Sequence, residues 1–362
     1  MDETSQTSIM EGTLGHGVDG PRKIFPRDEL FSTWLDLAET KTDSIIYGSN
    51  LIEDAGAGPD YTSMLCSRVL YASEPVDANA IVSKDREYLW IQDDLARRGK
   101  QIDLDDAKRI RREIIHHAEA FVWAVQNIVL SGKPWTEDAV KTIHEILYRD
   151  LAHDEVKPGE YRGVDHPVAA THINPHTGKR SITRFIHPRA VPDYMAQWVK
   201  AMNDELAELE DGSKSFILSE FVAKHYHHFI NIHPFGDGNG RVSRIILNCL
   251  MLKLSGTLTP LGTTLEEKEA FLQVAVRGSK KYHEEDGEVP LELQEGHLEM
   301  ARLLKTKAER LARQERALTL DGTEGAQLIY LPPDLGPIPI LRPGLCHPNC
   351  AEGGGSWGRT ET

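Results

Sequence analysis

HPFGDGNGR, residues 233 to 241, packs one histidine, one acid, three glycines, an asparagine and an arginine into nine residues. Helical patterns flank it on both sides. Before it, SKSFILSEFVAKHYHHFINI sets Ile217, Phe221, His225, Phe229 and Ile232 on one face expected to be buried. After it, RVSRIILNCLMLKL is apolar almost all round, the pattern of a helix at the centre of a bundle. Arg241, Arg244 and Asn248 break that pattern at i, i+3 and i+7, on one stripe.

Two arginines on the first turns of a buried helix need an anion, because an unpaired buried charge is very costly. The helix N-terminus supplies free N–H groups and a favourable dipole for the same purpose. Gly236, Gly238 and Gly240 let the backbone curl so that its N–H groups converge on phosphate. The loop is therefore expected to cradle a polyphosphate. It is not a Walker loop, which ends in Gly-Lys-Ser/Thr, nor a dinucleotide loop, which follows a strand. Asp237 is placed to hold Mg2+ across two phosphates, the usual one-carboxylate arrangement of that ion. His233 stands where a base would face the first phosphate and a hydroxyl attacking it.

Working outward, helical periodicity covers about Pro26 to Ile52, ends at AGAGPD, and resumes in a second block over roughly 60 to 98. A third helix opens near Leu104, with Ile110, Ile114, Phe121, Val125 and Ile128 close to one face. Another, TEDAVKTIHEILYRDL, starts at a good cap, Thr136. THINPHTGKRSITRFI has β-branched residues on either side of a turn-rich cluster and reads as a short hairpin. Helices return from VPDYMAQWVKAMNDELAEL, and 290 to 317 is a charged amphipathic helix. Residues 1–22 and the tail 319–362 lack core-forming periodicity and are expected to be poorly ordered. Between them the reading gives a helical N-terminal region over 23–104, then one mainly helical domain over 105–318. The fold class is all-α, a helical bundle with a small β-hairpin.

The chain has 362 residues and a formal net charge of −15, which argues against a duplex nucleic acid as partner while leaving room for a local anion site. The polar, acidic start is no signal peptide, and no apolar run is long enough to span a bilayer. No membrane association or secretion is expected, and a cytoplasmic or nuclear location is. Cys66, Cys249, Cys346 and Cys350 are too scattered for a disulfide framework, and CHPNC in the tail is weak as a metal motif.

From His233 to Arg244 the residues HPFGDGNGRVSR resemble the signature of Fic-domain proteins, HxFx(D/E)GNGRxxR, with every fixed position present. KPGEYR, 157 to 162, is similar to a turn that precedes the hairpin in that family, and the hairpin followed by VPDYM is similar to its target-binding flap. The resemblance spans roughly residues 105 to 285. It implies a Fic-type bundle that moves AMP from ATP to a Tyr, Thr or Ser hydroxyl of a protein substrate. His233 would be the general base, its ordinary pKa suiting that task near neutrality. Asp237 would bind Mg2+ or Mn2+. Gly238, Asn239 and Gly240, through their backbone, would hold the phosphates with Arg241, and Arg244 would meet the γ-phosphate. Phe235 would anchor the loop in the core, and Asn248 could reach the nucleoside. Thr183, Arg184 and Phe185 would belong to the flap, whose edge pairs with an extended target segment. A homodimer is compatible with the family, with the 60 to 98 helices contributing.

Family members often carry an inhibitory helix with the pattern (S/T)xxxE(G/N), whose glutamate pairs with the second motif arginine. Ser49 and Glu53 match it, and Asp54 departs from the expected Gly or Asn. The same stretch can also be read as a capping box, Asn50 with Glu53, opening a short helix. Three rivals to AMP transfer stand at this point: removal of AMP, phosphotransfer by a variant of the fold, and a catalytically silent binding module. His225 and His228 invite a metal-hydrolase reading, but no second motif of ligands accompanies them.

Overall fold

The helix marked by its apolar circumference lies at the centre. In a computed structural model, α8 (Asn239–Ser255) is buried on nearly every side, and Val242, Ile245, Ile246 and Leu250 have no measurable exposure. The structure describes residues 27–151, 156–165, 168–173, 178, 180–213, 216–286, 288–290 and 293–320. The expected disorder of 1–22 and the tail from 321 onward, with CHPNC, lie outside them.

Helix α1 (Arg27–Ile52) runs the length read from its periodicity and packs on α2 (Pro59–Tyr71), α4 (Leu104–Ala124) and α8. The block expected over 60 to 98 is two helices, α2 and α3 (Arg86–Arg97), because Pro75 and the turns around it interrupt the pattern. Asp103 caps α4 with a full capping box, and α4 continues into one π-turn, Val125–Leu130. Thr136 caps α5 (Glu137–Leu147), accepting from the N–H of Ala139. The hairpin is present: β1 (Ala169–Ile173) pairs antiparallel with β2 (Arg180–Arg184), with Ala170 opposite Thr183.

Helices α6 (Val191–Glu210) and α7 (Leu218–Ile232) pack together, and α7 packs along α8. Phe221, His225, Phe229 and Ile232 are buried as expected, but Ile217 is 44% exposed. It is the N-cap residue of α7, outside the helical phase that would have turned it inward. Helix α9 (Leu265–Glu285) is followed by α10 (Leu298–Leu320). The charged helix expected from 290 starts late because Pro290 and Gly296 hold the chain in turns before Leu298. The described residues thus form an all-α bundle with one hairpin. No described helix is long and apolar enough to cross a membrane.

Candidate active site

The turn between α7 and α8 starts with backbone strain. His233 closes α7 in the left-handed conformation, φ +51, which a non-glycine residue adopts only at a cost. Gly238 repeats it at φ +78 and opens α8 without a side-chain cap. Asn239 locks the loop between them. Its Oδ1 accepts from the N–H of Phe235 at 2.9 Å, and its Nδ2 donates to the carbonyl of Phe235 at 2.9 Å. The Asn239 side chain is therefore committed, and only its backbone faces the helix N-terminus.

Phe235 is fully buried and stacks on the imidazole of His144, centroids 3.8 Å apart and planes 1° from parallel. His144 Nδ1 accepts from the N–H of Gly159 at 3.0 Å, so its proton is on Nε2, which donates to the carbonyl of Asp237 at 3.2 Å. Burial pushes its pKa down to about 4, which keeps it neutral in this bridging role. Tyr148 stacks on the other side of His144, and its hydroxyl accepts from Arg241 Nη2 at 2.6 Å. None of these partners was singled out in the sequence. Their one signal was a histidine on the buried stripe of a helix otherwise made of Val140, Ile143 and Leu147.

His233 Nδ1 lies 3.1 Å from the carbonyl of Ile230. A carbonyl oxygen only accepts, so Nδ1 carries the proton and the lone pair is on Nε2. Burial, with the charge of Arg162 adding to it, brings the imidazole down to about 4 despite that hydrogen bond. The expectation of an ordinary pKa near neutrality is corrected: His233 is neutral well below pH 7. The ring of Phe185 lies flat on it, 3.7 Å between centroids and 7° between planes. Thr183 lies in β2, while the side chain of Arg184 falls outside the described residues.

Asp237 is pulled both ways. Burial raises its carboxyl, but the hydrogen bond from Tyr148, the charge of Arg241 and the N–H of Gly238 at 2.7 Å outweigh that and leave it below its usual value. Arg241 is buried, and its Nε and Nη1 have no partner among the described residues. A buried guanidinium with two donors unpartnered beside an uncapped helix N-terminus fits a polyphosphate. No group of three or more His, Cys, Asp or Glu able to hold a metal occurs among the described residues. A cation at Asp237 would therefore complete its shell with phosphate oxygens and water, as magnesium does.

Arg244, 3% exposed, donates from Nε to Ser49 Oγ at 2.7 Å and from Nη2 to the Ser49 carbonyl at 3.0 Å and to Glu53 Oε1 at 2.6 Å. Glu53 lies directly over the N-terminus of α8: a Cβ on Gly240 would stand 2.1 Å from its Oε1. The capping-box alternative is excluded, because Asn50 lies in the last turn of α1, with its Oδ1 2.9 Å from His117 Nδ1. The departure at Asp54 has a physical reading. Its φ is +54, a conformation that Gly or Asn reaches at least cost and that Asp tolerates. Lys268 steadies it, 2.6 Å from Asp54 Oδ1 and 2.8 Å from the Leu51 carbonyl. Asn248 is engaged elsewhere, accepting from Thr259 N–H and donating to the Arg244 carbonyl, so it does not reach into the cleft as expected.

Residues 134–251 match the Fic/DOC family. Over 115 residues, 32% of this chain and 19% of the relative, the sequence is 31% identical to a protein adenylyltransferase Fic of Aedes aegypti. The corresponding protein of Culex quinquefasciatus is 32% identical over 117 residues, again 32% of this chain and 19% of the relative. The match thus spans about a fifth of the length of these curated relatives. Among solved structures, a Fic domain containing signaling protein from Bacteroides thetaiotaomicron superposes with a TM-score of 0.54 at 19% identity, covering 78% of this chain and 92% of that one. That similarity shows the fold, the helical bundle expected from the sequence.

Proposed function

The chain is a Fic-domain protein, and on that premise we propose that it moves AMP from ATP to a side-chain hydroxyl of another protein. The observation that carries this reading is the pairing of a neutral, single-tautomer His233 with Arg241, whose Nε and Nη1 have no partner among the described residues, at the uncapped N-terminus of α8. The relatives' name, protein adenylyltransferase, supports the same reaction.

In this reading the triphosphate lies across the first turn of α8, held by Arg241 and by the N–H groups of Asn239 and Gly240, while the N–H of Gly238, expected to join them, holds the Asp237 carboxylate. The target hydroxyl oxygen attacks the α-phosphorus. A new O–P bond forms, the bond to the bridging oxygen breaks, and pyrophosphate leaves. The hydroxyl proton passes to Nε2 of His233, the nitrogen left free by the Ile230 hydrogen bond. Asp237 would hold Mg2+ or Mn2+, whose charge offsets that of the phosphates. The hairpin with Thr183, Arg184 and Phe185 would rest the target strand beside His233.

Glu53 is read as a brake. It supplies the anion that Arg244 needs in the absence of nucleotide and takes the place of the γ-phosphate. Of the division made from the sequence, 23–104 is thus the regulatory part and 105–318 the transferase. The location is read as cytoplasmic or nuclear.

The test is intact-mass analysis of the chain after incubation with ATP and Mg2+, as wild type, Glu53→Gly and Glu53→Gly/His233→Ala. One AMP gained by Glu53→Gly and lost in the double variant supports both chemistry and brake. A phosphate-sized gain would replace the reading with phosphotransfer, and no gain in any version, with a panel of hydroxyl-bearing proteins added, would reject transfer.

A further inference from the structure

We propose that Arg162 is a positioning residue that ties the hairpin to His233, so that the docked target and the base are set as one unit. The proposal rests on the reading of His233 as base and the hairpin as target rest. Arg162 is 6% exposed and lies in the short turn after Pro158. No described carboxylate pairs with it. The described partners of its guanidinium are all carbonyls: Nε donates to the carbonyl of His233 at 2.7 Å, and Nη2 to those of Ile186 and, at 3.4 Å, Ile232. Its own N–H donates to the carbonyl of Pro234 at 2.9 Å.

Two of those carbonyls end α7, where the helix dipole is negative and unpaired C=O groups accumulate. That is why a buried guanidinium needs no carboxylate here. The third carbonyl belongs to Ile186, next in sequence to Phe185, whose ring faces the imidazole at 3.7 Å. One planar fork therefore sets the spacing between the segment after β2 that carries Phe185 and the turn that carries His233. The same bonds hold His233 in its left-handed conformation, which would otherwise relax and carry the imidazole away. A lysine keeps the charge but, with one compact ammonium, cannot hold both segments in that geometry.

The test uses the full chain with Glu53→Gly, alone and with Arg162→Met, Arg162→Lys or Phe185→Ala. The first readout is the nitrogen spectrum of 15N-histidine protein, in which the His233 signal is the one lost in His233→Gln. The parent is expected to show the Nδ1–H form, and all three variants a shift toward the Nε2–H form. The second is AMP incorporation from ATP. Arg162→Met and Arg162→Lys are expected to lower the rate at saturating ATP by about a hundredfold, the scale of misplacing a reacting group by about 1 Å, with the KM for ATP unchanged. Phe185→Ala leaves the Arg162 fork intact, so it reports on the link even where an Arg162 variant fails to fold. An unchanged His233 signal in Arg162→Lys and Phe185→Ala, or a rise in KM that accounts for the lost rate, overturns the proposal. If the Glu53→Gly parent incorporates no AMP, adenylyl transfer fails as the reading, and the histidine spectrum still decides the link.

Discussion

Glu53 Oε1 lies 2.6 Å from Arg244 Nη2, although the two residues are 191 positions apart in the chain. The pair is asymmetric. The Arg244 side chain is 3% exposed and that of Glu53 is 37%. The carboxylate therefore contributes only modestly as an ion pair, while the guanidinium has much to lose if it is left alone. Glu53→Ala leaves Ser49 as the remaining partner and is expected to destabilise by about 1 kcal/mol, a fall of roughly 1–2 °C in Tm. ATP should then raise Tm further in the variant than in the wild type, because nothing competes for Arg244. Equal ATP-induced shifts in a thermal unfolding series would remove Glu53 as a competitor.

Asn239 gives a test of the loop that does not depend on the reaction. It is 1% exposed, and both ends of its amide serve the backbone of Phe235. Asn239→Ala orphans one buried N–H and one buried C=O, each worth about 1–3 kcal/mol. The expected loss in urea unfolding is about 2–4 kcal/mol with an unchanged m-value. Asn239→Asp should be no milder, because it keeps the acceptor but turns a buried carboxylate oxygen against the carbonyl of Phe235.

Acid should unfold this protein early. Burial brings His116 and His144 down to about 4 and His227 to about 3, and it is the leading cause in each. The unfolded chain has ordinary histidines that take protons below about 6.5, while the folded chain refuses them. The stability these groups support is thus complete above pH 6.5 and is lost as pH falls from there toward 4. Each can contribute up to about 1.4 kcal/mol per pH unit in that window. Urea midpoints measured at intervals from neutral to acid pH should fall steeply below pH 6.5, and His227→Gln should flatten the slope. A midpoint that stays level down to the carboxylate range would contradict the assignment.

What the sequence made legible is what lies contiguous in it. The run from His233 to Arg244 can be read directly because one helix turn and one loop carry the chemistry. Glu53 could be read only through a pattern, and the cap reading competed with it until α1 was seen to run through Asn50. His144 gave only the hint of a histidine on a buried stripe and Arg162 only its place in KPGEYR, and the roles of these two and of Tyr148 could not be read. Their roles arise where α5 and the turn after Pro158 meet the α7–α8 loop, and no local periodicity encodes that meeting. The helix starts missed at Ile217 and near 290 have a common cause. Periodicity locates the body of a helix, whereas its first residue is set by caps and prolines.

Gly238 ties the loop to Tyr148, and substitution can separate the two costs involved. Its φ of +78 is the left-handed region, and a Cβ there would lie 2.3 Å from Cε2 of Tyr148. The tyrosine ring is not free to retreat, since it stacks on His144 and its hydroxyl holds Arg241. Gly99 has a similar φ of +73 with nothing within 4 Å of the added carbon. Gly99→Ala should therefore cost only the backbone strain, about 1 kcal/mol. Gly238→Ala adds overpacking and should cost about 2–4 kcal/mol in total. In a Tyr148→Ala background the clash is gone, and Gly238→Ala should fall to the Gly99→Ala value. The same penalty in both backgrounds would mean that the ring does not constrain the glycine, and that Tyr148 holds Arg241 without setting the loop.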